Sequence, residues 1–163
     1  MSKTYSQVIL QIVFTVKYRH RRIHPNWKDG LHAFIAGIIN KNRHRCLIVN
    51  SVPDHIHILI SMNPHQAVSD LVREIKNVSG IWINARLMEQ HPYHEKFRWQ
   101  EGFGVFSYNI SQKNNVYQYV LNQEQHHNKT ALREEFQQLM RDNELDFDPR
   151  YAGEWLMEDD AAR

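Results

Sequence analysis

The chain has 163 residues, 42% of them hydrophobic and 23% charged, which suits one core-forming domain with or without a tail and excludes wholesale disorder. No apolar run reaches the roughly 18–20 residues that span a bilayer. The single cysteine, Cys46, excludes an internal disulfide framework and a multi-cysteine zinc site. Met1-Ser2-Lys3-Thr4-Tyr5 runs into a strand pattern rather than a signal segment, so the expected location is cytoplasmic.

The net charge is only +2, but it is unevenly spread. Residues 1–50 carry nine Lys/Arg against one acid, residues 51–127 six against seven, and residues 128–163 five against ten. The basic first third holds Lys17, Arg19, Arg21 and Arg22, then Arg43 and Arg45; with Lys76 these are the candidate DNA contacts. Such clusters suit phosphate backbones, because each neutralised phosphate releases condensed counterions. A solvated basic face has the same composition, so the clusters alone decide nothing.

In chain order, apolar residues at Val8, Leu10, Ile12, Phe14 and Val16 predict a period-two strand with one core face. Trp27, Leu31, Phe34/Ile35 and Ile38 make a helical stripe that begins near Pro25-Asn26. A short strand over 46–51, a turn at Pro53-Asp54 and a strand over 55–62 form a hairpin. After Pro64 a second helix carries Val68, Leu71/Val72, Ile75, Val78 and Trp82 on one side. A strand follows over 102–106, then a third helix with Val116, Tyr119 and Val120, capped by Asn109 or Ser111. The order strand, helix, strand, strand, helix, strand, helix predicts an α+β, ferredoxin-like split βαβ: an antiparallel sheet with helices against one face. From Lys129 the chain reads as helical to about Arg141 and then acidic and irregular. The domain boundary is accordingly expected at 127, with 128–163 as a helical and acidic tail.

The sharpest chemical feature is Asp54-His55-Ile56-His57-Ile58-Leu59. On a strand His55 and His57 share one face, about 7 Å apart along the chain, while Ile56, Ile58 and Ile60 take the core face. Two imidazoles so placed suit a divalent ion; a pair of exposed or hydrogen-bonded histidines is the blander reading. Tyr119 and Gln123 are four residues apart, about 40° on a continuous helix. They offer a nucleophile and a third ligand; a half-buried aromatic beside a polar neighbour is the blander reading. Tyr117, about 200° round such a helix, faces elsewhere, and His127 falls near the tyrosine face. In Trp99-Gln100-Glu101-Gly102-Phe103-Gly104-Val105-Phe106-Ser107 the glycines allow close backbone approach, and most of the aromatics suit core packing.

Taken together, the His-Ile-His strand, the 99–107 segment and Tyr119-x-x-x-Gln123 give residues 5–127 a resemblance to a known family. They resemble the single-tyrosine HUH transposases of bacterial insertion sequences, including the relatives associated with repetitive extragenic palindromes. The resemblance implies a catalytic domain over 1–127 that includes the tyrosine helix. It implies cleavage and rejoining of single-stranded DNA near hairpins through a 5′-phosphotyrosine intermediate. Tyr119 would be the nucleophile, and His55, His57 and Gln123 the ligands of Mg2+ or Mn2+. It further implies a homodimer whose tyrosine helix can complete the partner's site, and burial of Val116, Val120 and Leu121 also argues for a second copy. A non-catalytic ferredoxin-like nucleic-acid-binding module and an HUH replication initiator or relaxase are the alternatives. A histidine-triad hydrolase would need a third histidine where Leu59 stands.

Overall fold

Alternating apolar residues do build the first strand, β1 (Ile9–Thr15), and the structure sets it second from the edge of a four-stranded sheet. In this computed structural model residues 3–17, 22–93, 95–125 and 132–146 are described. The chain divides into two compact units, residues 1–121 and 122–163. After β1 the first unit runs through α1 (Pro25–Lys41), β2 (Arg45–Val52), β3 (His55–Ser61), α2 (Val68–Gln90) and β4 (Gly104–Tyr108). A single 3-10 turn, Ile110–Gln112, then leads into α3 (Lys113–Leu121). The sheet order is β2-β3-β1-β4 with every pairing antiparallel, the expected ferredoxin-like arrangement. Val52 pairs with His55 across the two-residue turn at Pro53-Asp54.

The main core forms where Ile12, Phe14 and Val16 meet Ile56, Ile58 and Ile60 on one sheet face. Trp27, Leu31, Ile35, Ile38 and Ile39 of α1 cover it, with Leu71, Val72, Ile75 and Ile83 of α2. The stripe on α2 departs from the expected one: Val78 is 37% exposed, and Ser79 takes the inward position. There its Oγ accepts the Trp99 indole N–H at 3.0 Å, which satisfies a buried donor.

The opposite face is not open. Ile9 and Leu59 project there and are covered by Val116 and Val120 of α3. The expectation of helices on one face therefore holds for α1 and α2 and fails for α3. The burial argument for a second copy fails with it, because the chain's own sheet buries both valines and only Leu121 stays half exposed.

Caps set where these helices start and stop. His24 Nδ1 accepts from the Asn26 N–H at 3.2 Å before Pro25 opens α1. At its other end Arg43 adopts φ 64°, and the Arg43 and His44 N–H groups return to the carbonyls of Asn40 and Ile39. That is the left-handed cap in which glycine is usual. Asn109 caps the turn before α3 in a reciprocal box with Gln112.

In the second unit α4 (Leu132–Asp142) buries Leu132, Glu135 and Leu139 along one side. Glu134 and Glu135 in its first turn and Arg141 in its last suit the helix dipole. Residues 129–131 of the expected helix, and the acidic stretch from 147 onward, lie outside the described residues. Among the described residues no helix is long and apolar enough to cross a membrane.

Candidate active site

With Ile56, Ile58 and Ile60 committed to the main core, the pleat sends His55 and His57 to the α3 face. Both imidazoles are buried, and their centroids lie 5.1 Å apart with planes at 67°. A ring nitrogen of each lies within 4.8 Å of one of the other's. One ion at about 2.1 Å from each nitrogen would hold them up to about 4.2 Å apart, a small adjustment.

Each ring is oriented through its Nδ1. His55 Nδ1 donates to Asp54 Oδ1 at 2.7 Å, and the carboxylate can only accept. On the other ring, Gln11 Nε2 donates to His57 Nδ1 at 2.8 Å, and Tyr108 Oη donates to Gln11 Oε1 at 2.7 Å. His55, whose Nδ1 donates, can present Nε2 to an ion with an acceptor behind it, as metal-bound imidazoles usually have; on His57 Nε2 is likewise the nitrogen away from its partner, but there Nδ1 accepts. The donor set fits a divalent cation.

Tyr119 arrives on α3. Its ring meets the His57 ring nearly perpendicularly, at 5.9 Å and 81°. Two devices hold it there. Val116 and Val120 pack on Ile9 and Leu59, and Asn50, the β2 residue paired with His57, donates from Nδ2 to the carbonyls of Val120 at 2.9 Å and Leu121 at 3.1 Å. Tyr117 packs on the same apolar cluster and lines a cleft of about 250 Å³ with Arg45, Cys46, Leu47, Lys113 and Asn114.

The helix does not continue to Gln123. It ends at Leu121, Asn122 is a turn residue, and helical backbone resumes at 123–125 in the second unit, where Gln123 is buried. The 40° separation presupposed an unbroken helix and loses its basis at Asn122. His127 lies outside the described residues.

The 99–107 segment is mainly architectural. Trp99 stands edge-on to Phe14 and Phe97, and the Gln100 N–H donates to the Thr15 carbonyl at 2.9 Å. Lys76 donates to the carbonyls of Gln100 (2.8 Å) and Gly102 (2.5 Å) above the Phe14 ring. Burial lowers its pKa to about 8, against the opposing pull of Glu101. A phosphate contact would have to draw that ammonium off two carbonyls. Of the other basic candidates, Arg22, Arg43 and Arg45 are exposed and Lys17 is half-buried; Arg19 and Arg21 lie outside the described residues.

Sequence reasoning missed Gln11, Asn50 and Tyr108 and used Asp54 only as a turn residue. Gln11 carried a signal: it is a polar residue at the centre of an apolar strand, where an amide needs partners.

Residues 4–123 match the family described as transposase, IS200-like. The ISDra2 transposase TnpA of Deinococcus radiodurans is 32% identical over 74 residues, 45% of this chain and 53% of that protein. The chain thus spans about half the length of this curated relative. A crystal structure of a candidate transposase from Deinococcus radiodurans R1 superposes with a TM-score of 0.58 at 21% identity, covering 76% of this chain and 98% of that one. A REP-associated tyrosine transposase bound to a REP hairpin gives 0.57 at 14% identity, covering 78% and 73%. Both structures share the fold. The match of the family over most of the chain, on a fold that carries a histidine pair beside a tyrosine, has one consequence: this chain belongs to the IS200-like, single-tyrosine HUH transposases.

Proposed function

We propose that this protein cleaves and rejoins single-stranded DNA near hairpins, with Tyr119 as nucleophile and a divalent ion, Mg2+ or Mn2+, held by His55, His57 and Gln123. The observation that carries the reading is the Tyr119 ring against His57, 5.9 Å between centroids, on a helix pinned to the same sheet. The assignment of Gln123 rests on the family resemblance. When bound, the ion supplies positive charge at the scissile phosphate and the departing 3′-oxygen.

The chain's own residues supply position. Asp54 and Gln11 fix the two imidazole planes, and Asn50 with the two valines fixes the phenol beside them. In-line displacement needs little else from a protein. Tyr119 Oη attacks phosphorus and gives up its proton as the P–O bond forms. The 3′-oxygen leaves with its electron pair, takes up a proton, and the 5′-phosphate stays on tyrosine. Attack by a 3′-hydroxyl reverses the step, so rejoining needs no nucleotide cofactor.

The REP hairpin in one structural relative supports a hairpin-bearing substrate, and the exposed Arg22, Arg43 and Arg45 suit its backbone. We assign a homodimer in which α3 of one copy can serve the partner's site; here Tyr119 lies beside a histidine of its own chain. Mixing His57→Ala with Tyr119→Phe protein tests this, since only exchange of α3 between copies restores cleavage.

A labelled hairpin-bearing strand from the DNA flanking the gene tests the activity. Cleavage is expected with Mg2+ or Mn2+, and is lost with a chelator, on the fully paired duplex and in His55→Ala. Asp54→Asn should raise the ion concentration needed by about 10-fold or more. DNA binding without cleavage by the wild type under any of these conditions would favour the non-catalytic binding module.

A further inference from the structure

Gln11 is fully buried at the centre of β1 and its amide is used at both ends: Nε2 donates to His57 Nδ1, and Oε1 accepts from Tyr108 Oη. This gives the two histidines different proton arrangements. Asp54 can only accept, so a neutral His55 keeps its proton on Nδ1 and its lone pair on Nε2. Gln11 does the reverse. By donating to Nδ1 it places the proton of a neutral His57 on Nε2, the nitrogen on the side away from the amide. In that form Nε2 has no lone pair for an ion.

Half a turn of the Gln11 amide reverses the whole chain of bonds. Oε1 then accepts from His57 Nδ1–H, and Nε2 donates to Tyr108, whose hydroxyl can accept as readily as it donates. No hydrogen bond in the chain is lost in either arrangement, so the buried amide avoids the cost of an unsatisfied polar group both ways. Phenylalanine at 108 would leave one arrangement with an unmet amide donor and the other with an unmet carbonyl.

We propose that Gln11 and Tyr108 are positioning residues for His57, and that turnover of the Gln11 amide moves the ring proton from Nε2 to Nδ1 and so opens Nε2 to the divalent ion. Water takes the proton from Nε2 and gives one to Nδ1, so the ring is neutral before and after the exchange. The inference rests on the ion reading of the His55–His57 pair given above.

The test is long-range 1H–15N correlation on the full chain labelled with 15N-histidine, with Zn2+ as a diamagnetic probe that favours imidazole. Without the ion, His57 is expected to carry its proton on Nε2 and His55 on Nδ1. With Zn2+, both are expected to carry it on Nδ1. Gln11→Glu, which presents only acceptors, should give His57 its Nδ1 proton before any ion is added. Gln11→Met, similar in length but without the amide, should weaken Zn2+ binding about 10–100-fold, and Tyr108→Phe should weaken it less. Nδ1 protonated on His57 already in the ion-free wild type would overturn the proposal, as would unchanged Zn2+ affinity in Gln11→Met. If Gln11→Met fails to fold, the wild-type comparison decides alone. Histidine signals that ignore Zn2+ altogether would instead overturn the ion site itself, a separate and recognisable failure.

Discussion

The Tyr119 ring stands almost perpendicular to the His57 imidazole, 81° between planes and 5.9 Å between centroids, although 62 positions separate them in sequence. Their proximity follows from the second sheet face. Ile9 and Leu59 provide an apolar landing for Val116 and Val120, and a helix seated on those valines carries Tyr119 over the histidine strand.

Asn50 is the polar part of that seat. Removing its two hydrogen bonds to Val120 and Leu121 in Asn50→Ala should cost about 1–2 kcal/mol. Loss of amide-exchange protection should concentrate in α3, and cleavage should fall while strand binding persists. Urea denaturation with residue-resolved exchange measures both. Unchanged protection of residues 113–121 would show that the valines suffice.

Arg43 sits at φ 64°, where glycine is favoured, and it is exposed. Arg43→Gly should therefore stabilise the fold, by about 0.5–1 kcal/mol after the glycine's added unfolded-state entropy. If the guanidinium meets a phosphate, the same variant should bind single-stranded DNA more weakly, with a salt slope smaller by roughly 0.7. Thermal melts and affinities at several salt concentrations report the two effects separately.

His32 supplies an acid limb. Burial, aided by Lys28 and opposed by Asp29, lowers its pKa to about 4, while Nε2 lies 2.7 Å from Ser51 Oγ. Between pH 6.5 and 4 the unfolded chain binds a proton that the folded chain refuses, so stability falls as the pH falls through that window. Denaturation midpoints across it should drop more steeply for the wild type than for His32→Gln. Parallel curves would place the acid sensitivity elsewhere.

Much of the fold was legible because period-two alternation in β1 and β3 assigns faces without knowledge of partners. His55 and His57 were forced together once Ile56, Ile58 and Ile60 had to face the core. The inward side of α2 was harder: from Ile75, steps of three and four residues lead to Val78 and Ser79, and hydrophobicity favours the valine. The structure chooses the serine, because Trp99 brings a buried N–H that needs an acceptor. The supports of the site were hidden for a related reason. Gln11 meets a partner 46 positions away and Asn50 one 70 positions away, and such pairings depend on strand register, which local pattern does not encode. The end of α3 at Leu121 was equally hidden, since its carbonyls are met by Asn50 from a different strand.

Tyrosine-specific adduct formation reads out the role of Tyr119 as nucleophile. A labelled, hairpin-bearing single strand is incubated with wild type, Tyr119→Phe and Tyr117→Phe in Mn2+ and resolved on a denaturing gel. A covalent protein–DNA band is expected in the wild type and in Tyr117→Phe, and none in Tyr119→Phe, which keeps the ring and should still bind the strand. A band that persists in Tyr119→Phe and vanishes in Tyr117→Phe would contradict that role.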